Sequence, residues 1–216
     1  MRVAFFDFDH TLLRADSNQL WIDHLRRRGL TDAATYSRHV DFMRDYRAGT
    51  LDFLALDAFR GELDASIPAP LLDACRADFT LNALRAAVAP GAGRLLRELR
   101  ERQVLTMVVS ASREALVRPV AEQLGFERII AADSRGPGAP AVPCFGAGKI
   151  DHVDAVLAGL GTSLDALERS WFYSDSHNDL PLLERVSDPV AVDPDPVLES
   201  VARGRGWPVI SLAGAR

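Results

Sequence analysis

The 216-residue chain is long enough for one large α/β domain with an insert, or for an average domain with a small partner. Its composition, 48% hydrophobic and 25% charged residues, is ordinary for a globular protein and excludes disordered and fibrous classes. The net charge of −5 argues against a nucleic-acid partner, because such binding needs a clustered positive surface.

The first predicted element is a short buried strand over residues 3–8, where aromatic and aliphatic side chains dominate. Asp7 interrupts this run, which is too short for a signal peptide or a membrane span. Cys75 and Cys144 match neither a redox pair nor a zinc spacing, so we interpret both as reduced structural thiols. These features predict a cytoplasmic protein that contacts no membrane.

A helical segment follows, because no strand-like run occurs between residue 18 and about residue 88. The predicted starts of its helices are Asp16 with Ser17, Thr31, Thr50 and Pro70. Residues 16–88 are therefore predicted to form an all-helical insert after the first strand.

The remaining strand-like runs lie in the second half of the chain, at residues 105–110, 128–131, 171–174, 190–192 and 209–212. Most of them are separated from the next by a helical or turn segment. This alternation predicts a Rossmann-like parallel sheet with helices on both faces, formed by residues 1–15 and 89–216.

Three local features of this second half are less regular. Residues 133–148 are rich in Gly and Pro, and this composition fits a surface loop as well as an ordered hairpin. Pro119 predicts a kink or a fresh start in the helix that follows residue 110. The histidines on predicted helices, which we assign to surfaces, are His24, His39 and His152.

Two carboxylates close the first strand in the string FFDFDHTLL, residues 5–13. Side chains alternate along a strand, so Asp7 and Asp9 point the same way while Phe8 points into the core. Two buried acids on one side are unfavourable unless they share a cation or a proton. A turn with helix-capping acids is the alternative, but ligands in open α/β sheets bind beyond the carboxyl ends of strands.

Three further polar elements each follow a predicted strand or open a helix. Ser110 ends the second strand, Lys149 follows a Gly-rich segment, and Asp175 and Asp179 lie in the string YSDSHNDLPLL. Taken singly, Ser110 is more often a cap, Lys149 a surface cation and Asp179 a helix-start acid.

Together these elements resemble the motif set of the haloacid dehalogenase superfamily over nearly the whole chain. The helical insert resembles the cap of the phosphoserine-phosphatase-like branch. Further strings most resemble bacterial phosphatases that include histidinol-phosphate phosphatases: DYRAGTLD, VPCFGAGK, SDSHNDLPLLE, AVDPDP and RGWPVISL.

The resemblance implies a magnesium-dependent phosphatase with a covalent mechanism. Asp7 would be the nucleophile, Asp9 the acid and base, and Lys149 a fixed cation beside the phosphate. The implied Mg²⁺ ligands are the Asp7 carboxylate, the Asp9 backbone carbonyl, Asp175 and, directly or behind these, Asp179. The implied phosphate-binding residues are Ser110, Ala111 and Asn178, with Thr11, which could also orient Asp9 or form a local cap. His10 and His177 lie nearby, either in a direct role or as spacers.

The substrate is expected to be a small phosphorylated metabolite selected by the helical insert. The polar candidates there are Asp16, Ser17, Asp41 and Asp45. Such acids would favour an amino-alcohol phosphate such as histidinol phosphate, whereas phosphoserine would call for Arg44 or Arg47.

Rival hypotheses remain open from the sequence. A phosphoserine phosphatase or a phosphotransferase would use the same intermediate. A phosphoaspartate signalling module shares the strand-end aspartate, the metal ligands and the lysine, but it is shorter and has no cap. Asp9 argues against it, because a positioned acid and base shortens the life of the phosphoaspartate. The sequence does not indicate the oligomeric state.

Overall fold

The fold is a six-stranded sheet in a computed structural model that describes residues 1–133 and 142–214. Its strands, in chain order, are β1 (Arg2–Phe6), β2 (Leu105–Val109), β3 (Arg128–Ile130), β4 (Arg169–Ser174), β5 (Asp188–Val192) and β6 (Val209–Ile210). Their order across the sheet is β3-β2-β1-β4-β5-β6, and every neighbouring pair is parallel. The predicted α/β class is confirmed.

The α-helices are α1 (Ser17–Arg27), α2 (Ala33–Arg47), α3 (Phe53–Ala65), α4 (Ala69–Phe79), α5 (Ala92–Glu101), α6 (Glu114–Leu124), α7 (Gly148–Gly159), α8 (Leu180–Leu183) and α9 (Pro196–Arg205). Residue contacts divide the chain into one unit of Met1–Ala15 with Ala87–Arg216 and a second unit of Asp16–Ala86. The first unit contains the sheet with α5 to α9, and the second contains α1 to α4. The role of the second unit as a cap remains a prediction.

Strand β1 lies in the middle of the sheet because it is apolar on both faces. Phe5 pairs with Met107 of β2 on one side and with Phe172 of β4 on the other, and all three are fully buried. Phe6 points to the opposite face, where its ring stacks on Tyr173 at 4.5 Å between centroids. Burial on both faces is what a parallel sheet covered by helices requires.

Aspartates begin three of the four helices of the second unit. Asp16 caps α1 as predicted, but Asp32 caps α2 and Asp52 caps α3, so the predicted starts at Thr31 and Thr50 are wrong. In α2 and α3 the carboxylate that lies one or two residues after the predicted threonine accepts a hydrogen bond from a backbone N–H of the first helical turn. A carboxylate is favoured over a hydroxyl there because it also interacts with the positive end of the helix.

Helix α6 runs through Pro119, so the predicted fresh start is wrong, while the alternative of a kink stays a prediction. A proline ring removes one hydrogen bond and disfavours a helix interior. The neighbouring Val117 and Val120 are fully buried, and their packing offsets that cost. A hairpin was one of two predictions for residues 133–148. Residues 134–141 lie outside the described part of the chain, and residues 142–147 form bends and turns before α7.

The assignment of three histidines to the surface is also wrong, because each is at most 6% exposed. The ring of His39 is hydrogen-bonded to Gln19 at 3.2 Å, and that of His152 contacts the carbonyl of Val142 at 2.9 Å. His24 is instead stacked on Trp21, with 5.8 Å between ring centroids. Aromatic packing or one polar partner suffices to bury a neutral imidazole.

The two cysteines are buried free thiols. Burial raises the pKa of the Cys144 thiol to about 12, so this residue stays protonated and cannot act as a nucleophile at neutral pH. Within residues 1–133 and 142–214, no helix has both the length and the apolar character needed to cross a membrane.

Candidate active site

Polar side chains gather where the central strands end. Asp7 directly follows β1, Ser110 follows β2, and Asp175 follows β4. Lys149 is the second residue of α7. Because the carboxyl ends of parallel strands lie along one edge of a sheet, these residues come from distant parts of the chain to the same edge.

A buried lysine joins two of the aspartates. Lys149 Nζ lies 2.7 Å from Asp7 Oδ1 and 2.8 Å from Asp179 Oδ2. Ser174 Oγ donates a further hydrogen bond of 2.7 Å to the same oxygen of Asp179. Burial alone would lower the pKa of Lys149, but Asp179 and Asp7 hold it above its ordinary value. The lysine is therefore a permanent cation, fixed between two carboxylates.

One lysine does not neutralise this group of acids. Burial raises the pKa of Asp7 to about 7, and Asp179 and Asp9 add to this effect while Lys149 opposes it. Burial, Asp7 and Asp179 likewise raise the pKa of Asp175 well above its ordinary value. Repulsion among desolvated carboxylates is relieved by a proton or by a cation.

Thr11 connects the first motif to Asp175. Its hydroxyl donates to Asp175 Oδ1 and accepts from the backbone N–H of Asp175, both at 3.0 Å. Thr11 is fully buried. The hydroxyl thus fixes one carboxylate of the site, and its predicted contact with phosphate stays a prediction.

Asp9 lies beyond the ladder of β1, in a tight turn. The amide of Asp7 still donates to the carbonyl of Tyr173 at 2.9 Å, but β1 itself ends at Phe6. Phe8 is fully buried, as the alternation predicted, and His10 adopts a left-handed conformation with φ of 55°. The turn therefore leaves Asp9 partly exposed at the rim of the site.

The loop after β2 contacts Asp9 through the hydroxyl of Ser112, a contact that the sequence did not predict. Ser112 Oγ donates to Asp9 Oδ2 at 2.5 Å. The backbone N–H of Ser112 donates to Ser110 Oγ at 3.0 Å. Ser110 and Asp9, which were predicted to act on the same substrate, are thus linked through one residue. The predicted contribution of the Ala111 amide stays a prediction.

The loop after β4 is held by Asp195, a residue that sequence reasoning missed. Asp195 Oδ2 accepts from the backbone N–H of His177 at 2.7 Å and lies 2.8 Å from its ring nitrogen Nδ1. The N–H of Asp195 donates to the carbonyl of Asp175 at 2.8 Å. Its other oxygen caps α9 through the amides of Val197 and Leu198. The Asp-Pro pair at residues 195–196 is a helix-start signal that could have identified this residue.

Asn178 lies in the same loop as His177. Its backbone N–H donates to Ser176 Oγ at 3.2 Å, and its side-chain amide contacts the same oxygen at 3.4 Å. Burial alone would raise the pKa of Asp195, but hydrogen bonds from Leu198 and His177 hold it below its ordinary value. Asp195 is therefore an anion that fixes the backbone on which Asp175 and Asn178 lie.

The substrate-selecting candidates belong to the second unit. Asp16 caps α1, accepting from the amide of Asn18 at 2.8 Å, and Ser17 is fully buried. Asp41 and Asp45 both pair with Arg44, at 2.8 and 3.4 Å. The negative charge on which the expected selectivity depends is therefore partly balanced within α2.

The donors of the site suit a hard cation. Among the described residues, no three His, Cys, Asp or Glu side chains form a ready-made metal cage. Magnesium does not need one, because it commonly binds one or two carboxylates and keeps several waters. Asp7 and Asp175, whose pKa values are raised by burial and by neighbouring carboxylates, are oxygen donors of this kind, and the backbone carbonyl of Asp9 stays a predicted ligand.

Comparisons with known proteins identify the family of the chain. The family model of the haloacid dehalogenase-like hydrolases matches residues 4–184. A histidinol-phosphatase from Neisseria meningitidis serogroup C (strain 8013) is 35% identical over 97% of this chain and 98% of its own. A solved protein of unknown function from Bordetella pertussis Tohama I is also 35% identical, with a TM-score of 0.85 over 98% of both chains.

More distant structures share the fold. A phosphoserine phosphatase solved as a phospho-aspartyl intermediate analogue is 15% identical, with a TM-score of 0.64 over 98% of this chain and 93% of its own. Identity at that level indicates a common architecture and leaves the substrate open.

Proposed function

This chain belongs to the haloacid dehalogenase-like hydrolase family and is a phosphatase, and from that premise we propose that it hydrolyses a small phosphate monoester through an aspartyl phosphate on Asp7. The observation that carries the proposal is the buried pair of Asp7 and Lys149 at the end of the central strand, at 2.7 Å. The Asp7 carboxylate is held by one fixed cation, Lys149, and lies among further acids that can bind a second cation.

The nucleophile needs positive charge in place before reaction, because a phosphate dianion repels a carboxylate. Lys149 supplies part of that charge and fixes the orientation of the Asp7 carboxylate. A magnesium ion would be held by Asp7, the Asp9 carbonyl and Asp175, with Asp179 supporting Lys149, and it would supply the remaining positive charge and offset the negative charge of the phosphate oxygens. Asp7 then attacks phosphorus, and one difficult hydrolysis becomes two easier steps.

The remaining residues bind the phosphate and move protons. The hydroxyl of Ser110, the amide of Ala111 and the side chain of Asn178 would donate hydrogen bonds to the phosphoryl oxygens. Asp9 would protonate the leaving oxygen as the ester bond breaks. The same carboxylate would then take a proton from the water that attacks the aspartyl phosphate.

The proposed substrate is histidinol phosphate. The support is the relative named histidinol-phosphatase, which is 35% identical over nearly the full length of both chains. Phosphoserine is the second candidate, and its carboxylate would call for an arginine such as Arg44 on α2, which in the structure pairs with Asp41 and Asp45. A phosphotransferase would use the same first step and would differ only in the acceptor of the second.

Steady-state kinetics with magnesium tests both levels of the proposal. We expect hydrolysis of phosphomonoesters that a chelator abolishes, and a kcat/KM for histidinol phosphate above that for phosphoserine. A ratio at or below one would refute the substrate and leave the phosphatase intact. Asp7→Asn removes the nucleophile with little change in volume, so residual turnover above a few per cent of wild type would refute the covalent mechanism. Addition of an alcohol acceptor separates transfer from hydrolysis.

A further inference from the structure

We propose that Ser112 is a positioning residue for the acid and base step, and that its hydroxyl orients the carboxyl group of Asp9. The inference rests on the proposed function, because it assumes that Asp9 transfers protons to and from the substrate. Nothing in the sequence pattern points to this hydroxyl, since Ser112 lies 103 residues from Asp9 along the chain.

The hydroxyl is a rigid donor. Ser112 is 1% exposed, and its Oγ lies 2.5 Å from Asp9 Oδ2. Its backbone is fixed on both sides, because its N–H donates to Ser110 Oγ and its carbonyl accepts from the N–H of Ala132, each at 3.0 Å. A donor held in this way defines the direction of the bond to Asp9.

Asp9 needs such a partner because the sheet does not position it. The residue follows the end of β1 and precedes the left-handed turn at His10. The last torsion of an aspartate side chain has a broad energy minimum, so an unanchored carboxyl group samples many orientations. Proton transfer requires the acid within hydrogen-bond distance of the leaving oxygen, in the correct orientation.

The bond also distinguishes the two carboxyl oxygens. The hydroxyl of Ser112 donates to Oδ2, so the transferable proton belongs on Oδ1. In the first step Oδ1–H gives its proton to the ester oxygen as the phosphorus–oxygen bond breaks. In the second step the resulting carboxylate takes a proton from the attacking water, and Asp9 returns to its starting state.

Ser112→Ala removes the hydroxyl and keeps the hydrogen bonds to Ser110 and Ala132, because Ser112 makes these two with its backbone atoms. We expect kcat/KM with magnesium to fall about tenfold for an alkyl phosphate, the effect of one lost hydrogen bond to a charged group. For a nitrophenyl phosphate, whose leaving oxygen hardly needs a proton, the loss should stay within about twofold. In an Asp9→Asn background, Ser112→Ala should cause no further loss on the alkyl ester.

The matched control is Ser170→Ala, which removes another buried hydroxyl near the start of β4, at the end of the strand away from Asp175. This variant should hydrolyse both esters with the kcat/KM of wild type. If Ser112→Ala fails to fold, Ser112→Cys keeps the volume, weakens the donor and must show the same difference between esters.

Two results would overturn the inference. An equal loss on alkyl and aryl esters from the Ser112 variants, while Asp9→Asn affects mainly the alkyl ester, refutes the positioning role and spares the proposed function. If Asp9→Asn itself lowers kcat/KM equally for alkyl and aryl esters, the acid role of Asp9 is refuted, and the inference fails with it.

Discussion

Replacing the nucleophile should make the metal-free protein more stable. The pKa of Asp7 rises from 3.8 to about 7 on folding, chiefly through burial. Between these two values the folded state binds more protons than the unfolded state, so the free energy of unfolding falls as pH rises. Above the folded pKa the charged carboxylate costs about 4 kcal/mol relative to the unfolded chain.

Asp7→Asn removes this cost with little change in volume. It also takes one of two partners from Lys149, which keeps its contact with Asp179 at 2.8 Å. The raised pKa of Asp7 already includes its favourable contact with Lys149, so we expect a gain of about 4 kcal/mol at about pH 8, vanishing near pH 4.

Urea unfolding in a chelator, followed across that pH range, measures the difference directly. The control is Asp165→Asn, an exposed acid paired with Arg185, which should change stability by less than about 0.5 kcal/mol at every pH. If Asp7→Asn is less stable than wild type at about pH 8 without metal, then the ionised Asp7 carboxylate does not lower the free energy of unfolding, and the reasoning from its burial is refuted.

Three further predictions concern the metal, a histidine and a glycine. Magnesium at about a hundred times its dissociation constant should raise the unfolding free energy of wild type by about 2.7 kcal/mol, and Asp175→Asn should lose most of this gain in a thermal shift assay. Burial lowers the pKa of His39, so its stabilising effect is complete above about pH 6.5 and is lost as pH falls through the folded value. His39→Gln should therefore flatten that part of the urea-midpoint profile, and an unchanged slope would exclude His39 as its source. Gly148→Ala should destabilise the protein by about 1–3 kcal/mol, because its Cβ would lie 2.1 Å from the carbonyl oxygen of Pro143. Gly159→Ala, in open space at the other end of the same helix, should be neutral or stabilising by chemical denaturation.

The sheet could be predicted from sequence because its strands are short apolar runs bounded by polar residues. Leu105–Val109 is an example, ending one residue before Ser110. The positions of Asp7 and Asp175 follow from the same rule, since polar residues directly after parallel strands share one edge. Side chains at such an edge are forced near one another by backbone topology alone.

Contacts that depend on side-chain direction could not be predicted. Ser112 and Asp195 act across loops, and the sequence does not indicate which way either points. The helix starts at Thr31 and Thr50 failed for a related reason, because several capping residues lie close together and small differences in energy decide between them. His39 is buried against Gln19 by tertiary packing, and the sequence does not indicate that contact.

The order of strands has a consequence for synthesis of the chain. β1 forms in the middle of the sheet, yet Val3 pairs with Leu105 on one side and Ser170 on the other. At ~5–20 residues per second, β1 waits on the order of ten to thirty seconds after translation for its second partner. During that time an apolar segment is exposed to other nascent chains and to chaperones. Asp7 and Asp9 follow it directly, and flanking charges oppose aggregation of such segments. The carboxylates that destabilise the folded protein therefore oppose aggregation of the growing chain.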